Sequence, residues 1–163
     1  MGGIAEDLYT GETYVATDLD LCGWVTPHEE NVLASLDFKR EGRHLFHAPS
    51  DVAVEFPESI VQGEEERFDR RSVGTGTAVI IGVDDFYLDR IRQTTAYPPG
   101  SETIEFKAAV AVAVASYDDI DWKYVEQEIK TTEEKDPSLG KAMREVHKRV
   151  RRRLLSELRN VGR

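Results

Sequence analysis

The chain has 163 residues, 31 acidic and 21 basic, and a net charge of −10 at neutral pH. This length fits one domain with a sizeable core, and the anionic surface argues against non-specific nucleic-acid binding through the body of the domain. The single cysteine, Cys22, excludes a disulfide framework and a zinc site built from thiolates. The sequence has no apolar run of the roughly 18 residues that span a membrane, and its N-terminus lacks a signal-peptide pattern. We therefore expect a cytoplasmic protein without membrane contact.

The first half of the chain predicts short strands alternating with short helices. Thr26, Pro27 and Glu29 together are typical of a helix start, with Thr as the N-cap and Glu three residues later. We expect Val32, Leu33 and Leu36 to form the apolar face of that helix. The other predicted elements are a helix over Ile4–Tyr9, strands over Tyr14–Trp24, Arg43–Ala48, Asp51–Phe56 and Thr77–Val83, and an exposed connector over Ser59–Arg71.

The second half predicts helices throughout. Asp84 and Asp85 are expected to cap the first of them, and the breaker Tyr97-Pro98-Pro99-Gly100 ends it. The predicted helices cover Phe86–Thr95, Glu102–Ser116, Asp121–Thr131 and the segment after Pro137. The pattern as a whole indicates an α+β fold with a short mixed sheet and a helical C-terminal half.

The segment 137–163 has a charge opposite to that of the rest of the chain. It holds nine basic and two acidic residues, whereas 1–136 holds 12 basic and 29 acidic residues. One interpretation is that this basic amphipathic helix contacts a phosphate backbone or an acidic partner. The other is that its basic face neutralises the acidic body while its apolar stripe packs against the core. No aromatic residues alternate with the arginines, as they do in single-strand binders, which favours the second.

Asp18 and Asp20 are the strongest candidates for a functional site. Separated by one residue on a strand, they place two carboxylates on the same face. Two carboxylates so close repel each other unless a cation or shared proton lies between them, and hard oxygen ligands suit Mg²⁺. Gly2-Gly3 precede the pair, and Glu55 lies between apolar neighbours on a later strand. His44 and His47 are a weaker metal candidate because no cysteine or H-x-x-x-H spacing accompanies them.

This order of motifs resembles the nucleotidyltransferase fold of the polymerase-β superfamily. Met1-Gly2-Gly3, the D-x-D strand and the strand containing Glu55 are followed by Val83–Ile91 and Asp119-Ile120-Asp121. The downstream run is similar to that of small prokaryotic nucleotidyltransferase-like proteins, some of which belong to toxin–antitoxin or abortive-infection systems. The resemblance covers roughly 2–130. The family places a further strand before the glycines, so the expected core lacks its first strand.

The resemblance implies a role for each matching residue. Gly2 and Gly3 would bring backbone amides to the triphosphate of a bound NTP. Asp18, Asp20 and Glu55 would hold Mg²⁺ or Mn²⁺, and Glu55 would help to deprotonate the acceptor hydroxyl. Asp89-Arg90 matches a recurring pair in the helical half. An ion pair that orients this helix is the preferred role, and a contact between Arg90 and a phosphate is the alternative.

From these features we expect three segments. A nucleotidyltransferase-like α/β core over 1–96 is continued by helices over 97–136 and by the basic helix over 137–163. The expected activity is Mg²⁺-dependent transfer of a nucleoside monophosphate from an NTP to a hydroxyl of an RNA or protein acceptor. The alternative is a degenerate nucleotidyltransferase-fold protein, an antitoxin-like or regulatory module that binds a partner through 137–163.

Overall fold

A computed structural model describes residues 2–11, 18–58 and 60–160 of the chain, with the side chains of Glu58 and Asn160 excluded. Over these residues the fold is α+β, with a helical C-terminal half, as the sequence predicts. The α-helices are α1 (Gly3–Thr10), α2 (Pro27–Ser35), α3 (Val83–Thr94), α4 (Ile104–Ala115), α5 (Trp122–Lys135) and α6 (Pro137–Asn160). The strands are β1 (Asp18–Cys22), β2 (Lys39–Glu41), β3 (His44–His47), β4 (Val52–Glu58), β5 (Asp69–Val73) and β6 (Gly76–Ile80).

The chain divides into two compact units. The first, the sheet unit, contains Met1–Gln62 and Arg70–Ile81, and the second, the helical unit, contains Gly63–Asp69 and Gly82–Arg163. None of the described helices is both long and apolar enough to cross a bilayer.

The main sheet of the sheet unit is mixed and has the strand order β1-β4-β3-β2. β1 and β4 run parallel, whereas β3 is antiparallel to both β4 and β2. Val54 and Leu45 lie opposite each other on β4 and β3 and are almost fully buried. Because neighbouring positions of a strand face opposite sides, Glu55 lies on the other face of the sheet from this apolar pair.

Several predicted boundaries in the sheet unit were wrong. The prediction missed β2, a short strand of charged, exposed residues with no apolar alternation to indicate it. β4 does not end before Pro57. The strand continues past this proline through a bulge between the pairs Asp20–Glu55 and Cys22–Glu58. Proline has no backbone N–H, and a bulge tolerates this loss. The predicted connector Ser59–Arg71 includes the start of β5, which pairs with β6 in a separate two-stranded sheet.

Helix α2 begins with the predicted capping box. The Glu29 carboxylate accepts a hydrogen bond of 2.7 Å from the backbone N–H of Thr26, and Pro27 occupies the first turn. The apolar side chains of this helix are not buried in the core. No residue of α2 is buried, and Val32 and Leu36 are exposed.

The core of the helical unit comes from one face each of α3, α4, α5 and α6. The buried apolar side chains include Phe86, Tyr87 and Ile91 of α3, Phe106 and Val112 of α4, Val125 and Ile129 of α5, and Met143, Val150 and Leu154 of α6. The turn between α5 and α6 is tight. The Asp136 carboxylate accepts the backbone N–H groups of Ser138 and Leu139, each at 3.1 Å, and thereby caps α6.

Asp84 and Asp85 were expected to cap α3, but Gly82 is its N-cap and both acids lie in the first turn. They connect α3 to other parts of the helical unit instead. Asp84 accepts hydrogen bonds from Arg67 at 2.8 Å and from the backbone N–H of Asp121 at 2.7 Å. Tyr124 donates to Asp85 at 2.8 Å, and burial raises the pKa of the Asp85 carboxyl group. These acids hold the starts of α3 and α5 together.

Candidate functional site

The acids singled out in the sequence lie on two adjacent parallel strands. Asp20 of β1 pairs directly with Glu55 of β4, and Asp18 pairs with Ala53 two positions earlier. Paired residues of neighbouring strands project to the same side of a sheet, as do residues two apart on one strand. Asp18, Asp20 and Glu55 therefore share one face, which is opposite to the face that buries Val54.

Gly2 lies against this pair of strands. A Cβ added to Gly2 would be 1.7 Å from Oδ2 of Asp20 and 2.8 Å from its Cγ. Only glycine lets the backbone that leads into α1 approach the Asp20 carboxylate so closely. Gly3 is the first residue of α1, so this helix begins beside the Asp20 carboxylate.

The Glu55 side chain is buried and already has basic partners. Its Oε1 atom lies 2.5 Å from Nδ1 of His44, although without the alignment of a hydrogen bond, and its Oε2 atom lies 3.3 Å from Nε of Arg43. His44 belongs to β3, directly beside β4, whereas Arg43 lies in the turn that precedes it. Both contacts require the register of β3 against β4, in which Leu45 lies opposite Val54.

The pairings define a row of polar side chains across the whole sheet, which we call the polar row. In order from β1 to β2 it consists of Asp20, Glu55, His44 and Glu41. Sequence reasoning missed Arg43 and His44 as partners of Glu55, because the sequence gives no strand register. The only signal was a histidine on a strand next to the one that carries the third acid.

The two histidines do not form a common site. His44 faces Glu55, whereas His47 is three residues away on the same strand, so it projects to the opposite face. Nδ1 of His47 lies 2.5 Å from the Ser50 hydroxyl, and its ring lies 5.0 Å from that of Phe38. The His47 side chain thus contacts Ser50 in the β3–β4 turn and not Glu55.

The type and the shared face of the three carboxylates fit Mg²⁺, which prefers hard oxygen ligands. Their present contacts fit less well. Among the residues that the structure describes, no three His, Cys, Asp or Glu side chains are close enough together to hold a metal ion. The Glu55 carboxylate faces Arg43 and His44, so it would have to turn away from both to reach a cation beside Asp18 and Asp20.

Asp20 also borders a cavity of about 560 Å³ within the sheet unit. Most of its walls are apolar and come from α1, β1 and the β5–β6 hairpin, including Leu8, Leu21 and Val79. Arg71 adds a second charged group. The volume is within the range of small-ligand pockets, roughly 300–1,000 Å³.

Asp89 and Arg90 form the ion pair that the sequence suggested. Nη2 of Arg90 lies 3.3 Å from Oδ2 of Asp89, and both side chains are largely buried. The Arg90 guanidinium lies over the Phe86 ring, 4.8 Å from its centroid. These contacts within α3 are those of a structural residue.

Most basic residues of α6 have partners within the helical unit. Arg144 pairs with Glu133 of α5, and Arg149 donates to the backbone carbonyl of Ser101 at 3.1 Å. Arg151 lies over the Trp122 ring at 4.3 Å, and Arg153 pairs with Glu157 at 3.0 Å. These contacts favour the neutralising, packing role of the basic helix.

Comparisons with protein families, with curated proteins and with solved structures found no match to this chain. The site must therefore be interpreted from its own geometry.

Proposed function

We propose that this protein is a nucleotidyltransferase of the polymerase-β type. It would transfer a nucleoside monophosphate from an NTP to a hydroxyl of an RNA or protein acceptor: the acceptor oxygen bonds to the α-phosphorus, the bond to the β-phosphate breaks, and pyrophosphate leaves. The observation that carries the proposal is the register between β1 and β4, which aligns Asp20 with Glu55 on one face, beside the backbone of Gly2.

In this proposal Asp18 and Asp20 would hold Mg²⁺ or Mn²⁺, and Glu55 would complete the set of ligands if its carboxylate turned away from Arg43 and His44. A bound divalent ion would supply charge neutralisation at the phosphates and at the attacking oxygen. The backbone amides around Gly2 and Gly3 approach the phosphates, where a side chain would be in the way. Once released, the Glu55 carboxylate accepts the proton of the acceptor hydroxyl. The cavity beside Asp20 offers room for a ligand of nucleotide size.

A second candidate function is supported by the contacts of Glu55. A buried carboxylate that already pairs with an arginine and a histidine needs no metal to balance its charge. The protein would then retain the fold without the activity and act as an antitoxin-like or regulatory module that binds a partner.

Label transfer distinguishes the two candidates. The protein is incubated with NTPs labelled at the α-phosphate, with Mg²⁺ or Mn²⁺ and with cell extract, and the labelled RNA and protein are then separated. The variant Asp18→Asn/Asp20→Asn removes both acids of β1. The control variant is Glu41→Gln, which removes an exposed carboxylate at the far end of the polar row.

We expect the wild type and Glu41→Gln to transfer label and the double variant to lose transfer. Transfer that survives the double change would remove these acids from the mechanism. If the wild type neither transfers label nor binds nucleotide, the second candidate function replaces the first.

A further inference from the structure

A second concave surface, which we call the rim groove, lies in the sheet unit where β1 and β4 end. It encloses about 800 Å³, and the residues that line it include Trp24, Arg40, Arg43, Phe56, Pro57 and Ile60. Arg43 also contacts Glu55, so the groove adjoins the polar row without sharing its acids.

Two large apolar side chains in the groove are exposed to solvent. Trp24 is 82% exposed and Ile60 is 71% exposed. Tryptophan is highly buried on average in folded proteins, and exposed apolar groups that gather in one concavity are typical of binding sites for proteins or ligands. Tryptophan and arginine are also the residues most enriched among those that dominate binding energy at protein interfaces.

The groove is locally basic within an acidic unit. The sheet unit contains 5 basic and 12 acidic residues, a net charge of −7, and two of the five bases line the groove. Arg40 pairs with Glu30 and Arg43 with Glu55, but the side chains of Arg40 and Arg43 are 51% and 80% exposed. Glu30 is 46% exposed as well, so the Arg40–Glu30 pair contributes little stability and a carboxylate from a partner can replace Glu30. The Glu55 side chain is only 10% exposed, so its pair with Arg43 is kept, and a partner's carboxylate would use further N–H donors of the exposed Arg43 guanidinium.

We propose that the rim groove binds a segment of a partner protein that presents a large apolar side chain next to a carboxylate. The apolar side chain packs on Trp24 and Ile60, and the carboxylate pairs with Arg40 or Arg43. Single-stranded RNA fits less well, because stacking platforms use successive aromatic residues and the net charge of the sheet unit repels the phosphate of every nucleotide, whereas the peptide needs a single carboxylate. The inference does not depend on nucleotidyl transfer.

The test is a selection from a random peptide library displayed on phage, with the full chain as the immobilised target. Selected peptides are synthesised with a fluorescent label, and their binding is measured by anisotropy. Three variants are compared with the wild type: Trp24→Ala, Arg40→Gln/Arg43→Gln and the control Ile104→Ala. Ile104 is 70% exposed in the helical unit, so its change removes an equally exposed apolar side chain elsewhere.

We expect the selected peptides to share an aromatic or large aliphatic residue beside Asp or Glu. Trp24→Ala should weaken their binding roughly thirtyfold, the typical loss for a dominant interface residue, while Ile104→Ala leaves it unchanged. The double arginine variant should bind acidic peptides more weakly, and its affinity for versions with Asn or Gln in place of the acid should equal that of the wild type.

Two results of the selection would overturn the proposal. One is that no peptide is selected, and the other is that the selected peptides bind Trp24→Ala and the wild type with equal affinity. Trp24-dependent binding of a labelled oligouridylate would also overturn it, since this would assign the groove to RNA, as would Trp24-dependent self-association, which would assign it to a second copy.

Discussion

Asp20 and Glu55 lie directly opposite each other on parallel strands, and a residue in the position of Gly2 must be a glycine for the chain to pass the Asp20 carboxylate. The register and the close approach together bring three separate segments of the sequence to one point. In the same arrangement, however, Glu55 is held by Arg43 and His44. Whether Glu55 can leave these partners decides how well the site can bind a divalent cation.

His44→Ala should strengthen the binding of a divalent cation. The change removes the group 2.5 Å from Oε1 of Glu55 and so leaves the carboxylate freer to turn toward Asp18 and Asp20. A partly exposed contact between an imidazole and a carboxylate contributes up to about 1 kcal/mol, so we expect Mn²⁺ to bind up to about fivefold more tightly. The measurement is a titration with Mn²⁺ in which free ion is followed by electron paramagnetic resonance.

The matched control is His47→Ala, because His47 belongs to the same strand but projects to the other face. It should leave the dissociation constant for Mn²⁺ unchanged. If His44→Ala and His47→Ala bind Mn²⁺ alike, the contact with His44 does not restrain Glu55.

Gly2→Ala should impair the site more than it impairs stability. The new methyl group would overlap the Asp20 carboxylate, and this side chain is too short to move aside without changing its direction. We expect Mn²⁺ affinity to fall roughly tenfold, as it does when groups that orient metal ligands are lost. Urea unfolding should show a change of less than about 1 kcal/mol, because the overlap is with the end of a side chain and not with backbone.

Gly11→Ala should have the opposite effect, since it should lower stability and leave Mn²⁺ affinity unchanged. Gly11 has φ of 69° and would gain a methyl group with no atom within 4 Å, so the substitution adds backbone strain without steric overlap. We expect a loss of about 1 kcal/mol in the free energy of unfolding with unchanged Mn²⁺ affinity. Equal effects of Gly2→Ala and Gly11→Ala on Mn²⁺ affinity would contradict a specific role for the approach of Gly2 to Asp20.

The local features of this fold could be predicted from the sequence. The α2 capping box and the start of the long final helix follow from short-range rules that Thr26, Glu29 and Pro137 satisfy. The shared face of Asp18 and Asp20 likewise needs only the alternation of a strand.

The relations between strands could not be predicted in this way. The contact of His44 with Glu55 depends on the register of β3 against β4, which short-range patterns do not determine. β2 has no apolar alternation, and β4 passes through Pro57 because a bulge accommodates the missing N–H. The rim groove is assembled from residues that are far apart in the chain, so its combination of Trp24 and Arg43 was not visible in the sequence.

Gly140→Ala should destabilise the helical unit. A Cβ at Gly140 of α6 would lie 2.2 Å from Cα and 2.4 Å from N of Glu133 in α5, so the overlap is with backbone that cannot rotate away. The two helices would have to separate near their connecting turn. We expect the free energy of unfolding to fall by about 1–3 kcal/mol, measured by urea denaturation followed by circular dichroism.

The control for Gly140→Ala is Ser156→Ala, an exposed position on the same helix. Its effect should stay within about 0.5 kcal/mol. An equally small effect of Gly140→Ala would show that α5 and α6 are not packed as closely as Gly140 and Glu133 indicate.

His147 should make the helical unit less stable in acid. It lies on α6 with its Nδ1 atom 2.9 Å from the buried hydroxyl of Tyr87, and burial lowers its pKa from 6.5 to about 4. Arg151 and Arg144 lower this pKa further, because a second positive charge near them is unfavourable. The imidazole is therefore neutral in the folded protein at pH values at which the unfolded chain would protonate it.

The direction of the effect follows from proton binding. Between pH 6.5 and about 4 the unfolded state binds a proton at His147 that the folded state does not, so the free energy of unfolding falls as the pH falls through this window. Below about pH 4 both states are protonated and the loss reaches its limit, about 3 kcal/mol for a shift of this size.

Urea denaturation at several pH values between 4 and 7 measures how steeply the free energy of unfolding changes with pH. The control variant His147→Gln removes this titrating imidazole and leaves all carboxylates and the other histidines in place. The wild type should thus lose up to about 3 kcal/mol more than the variant over this range, whereas parallel pH dependences would show that His147 is not buried in its neutral form.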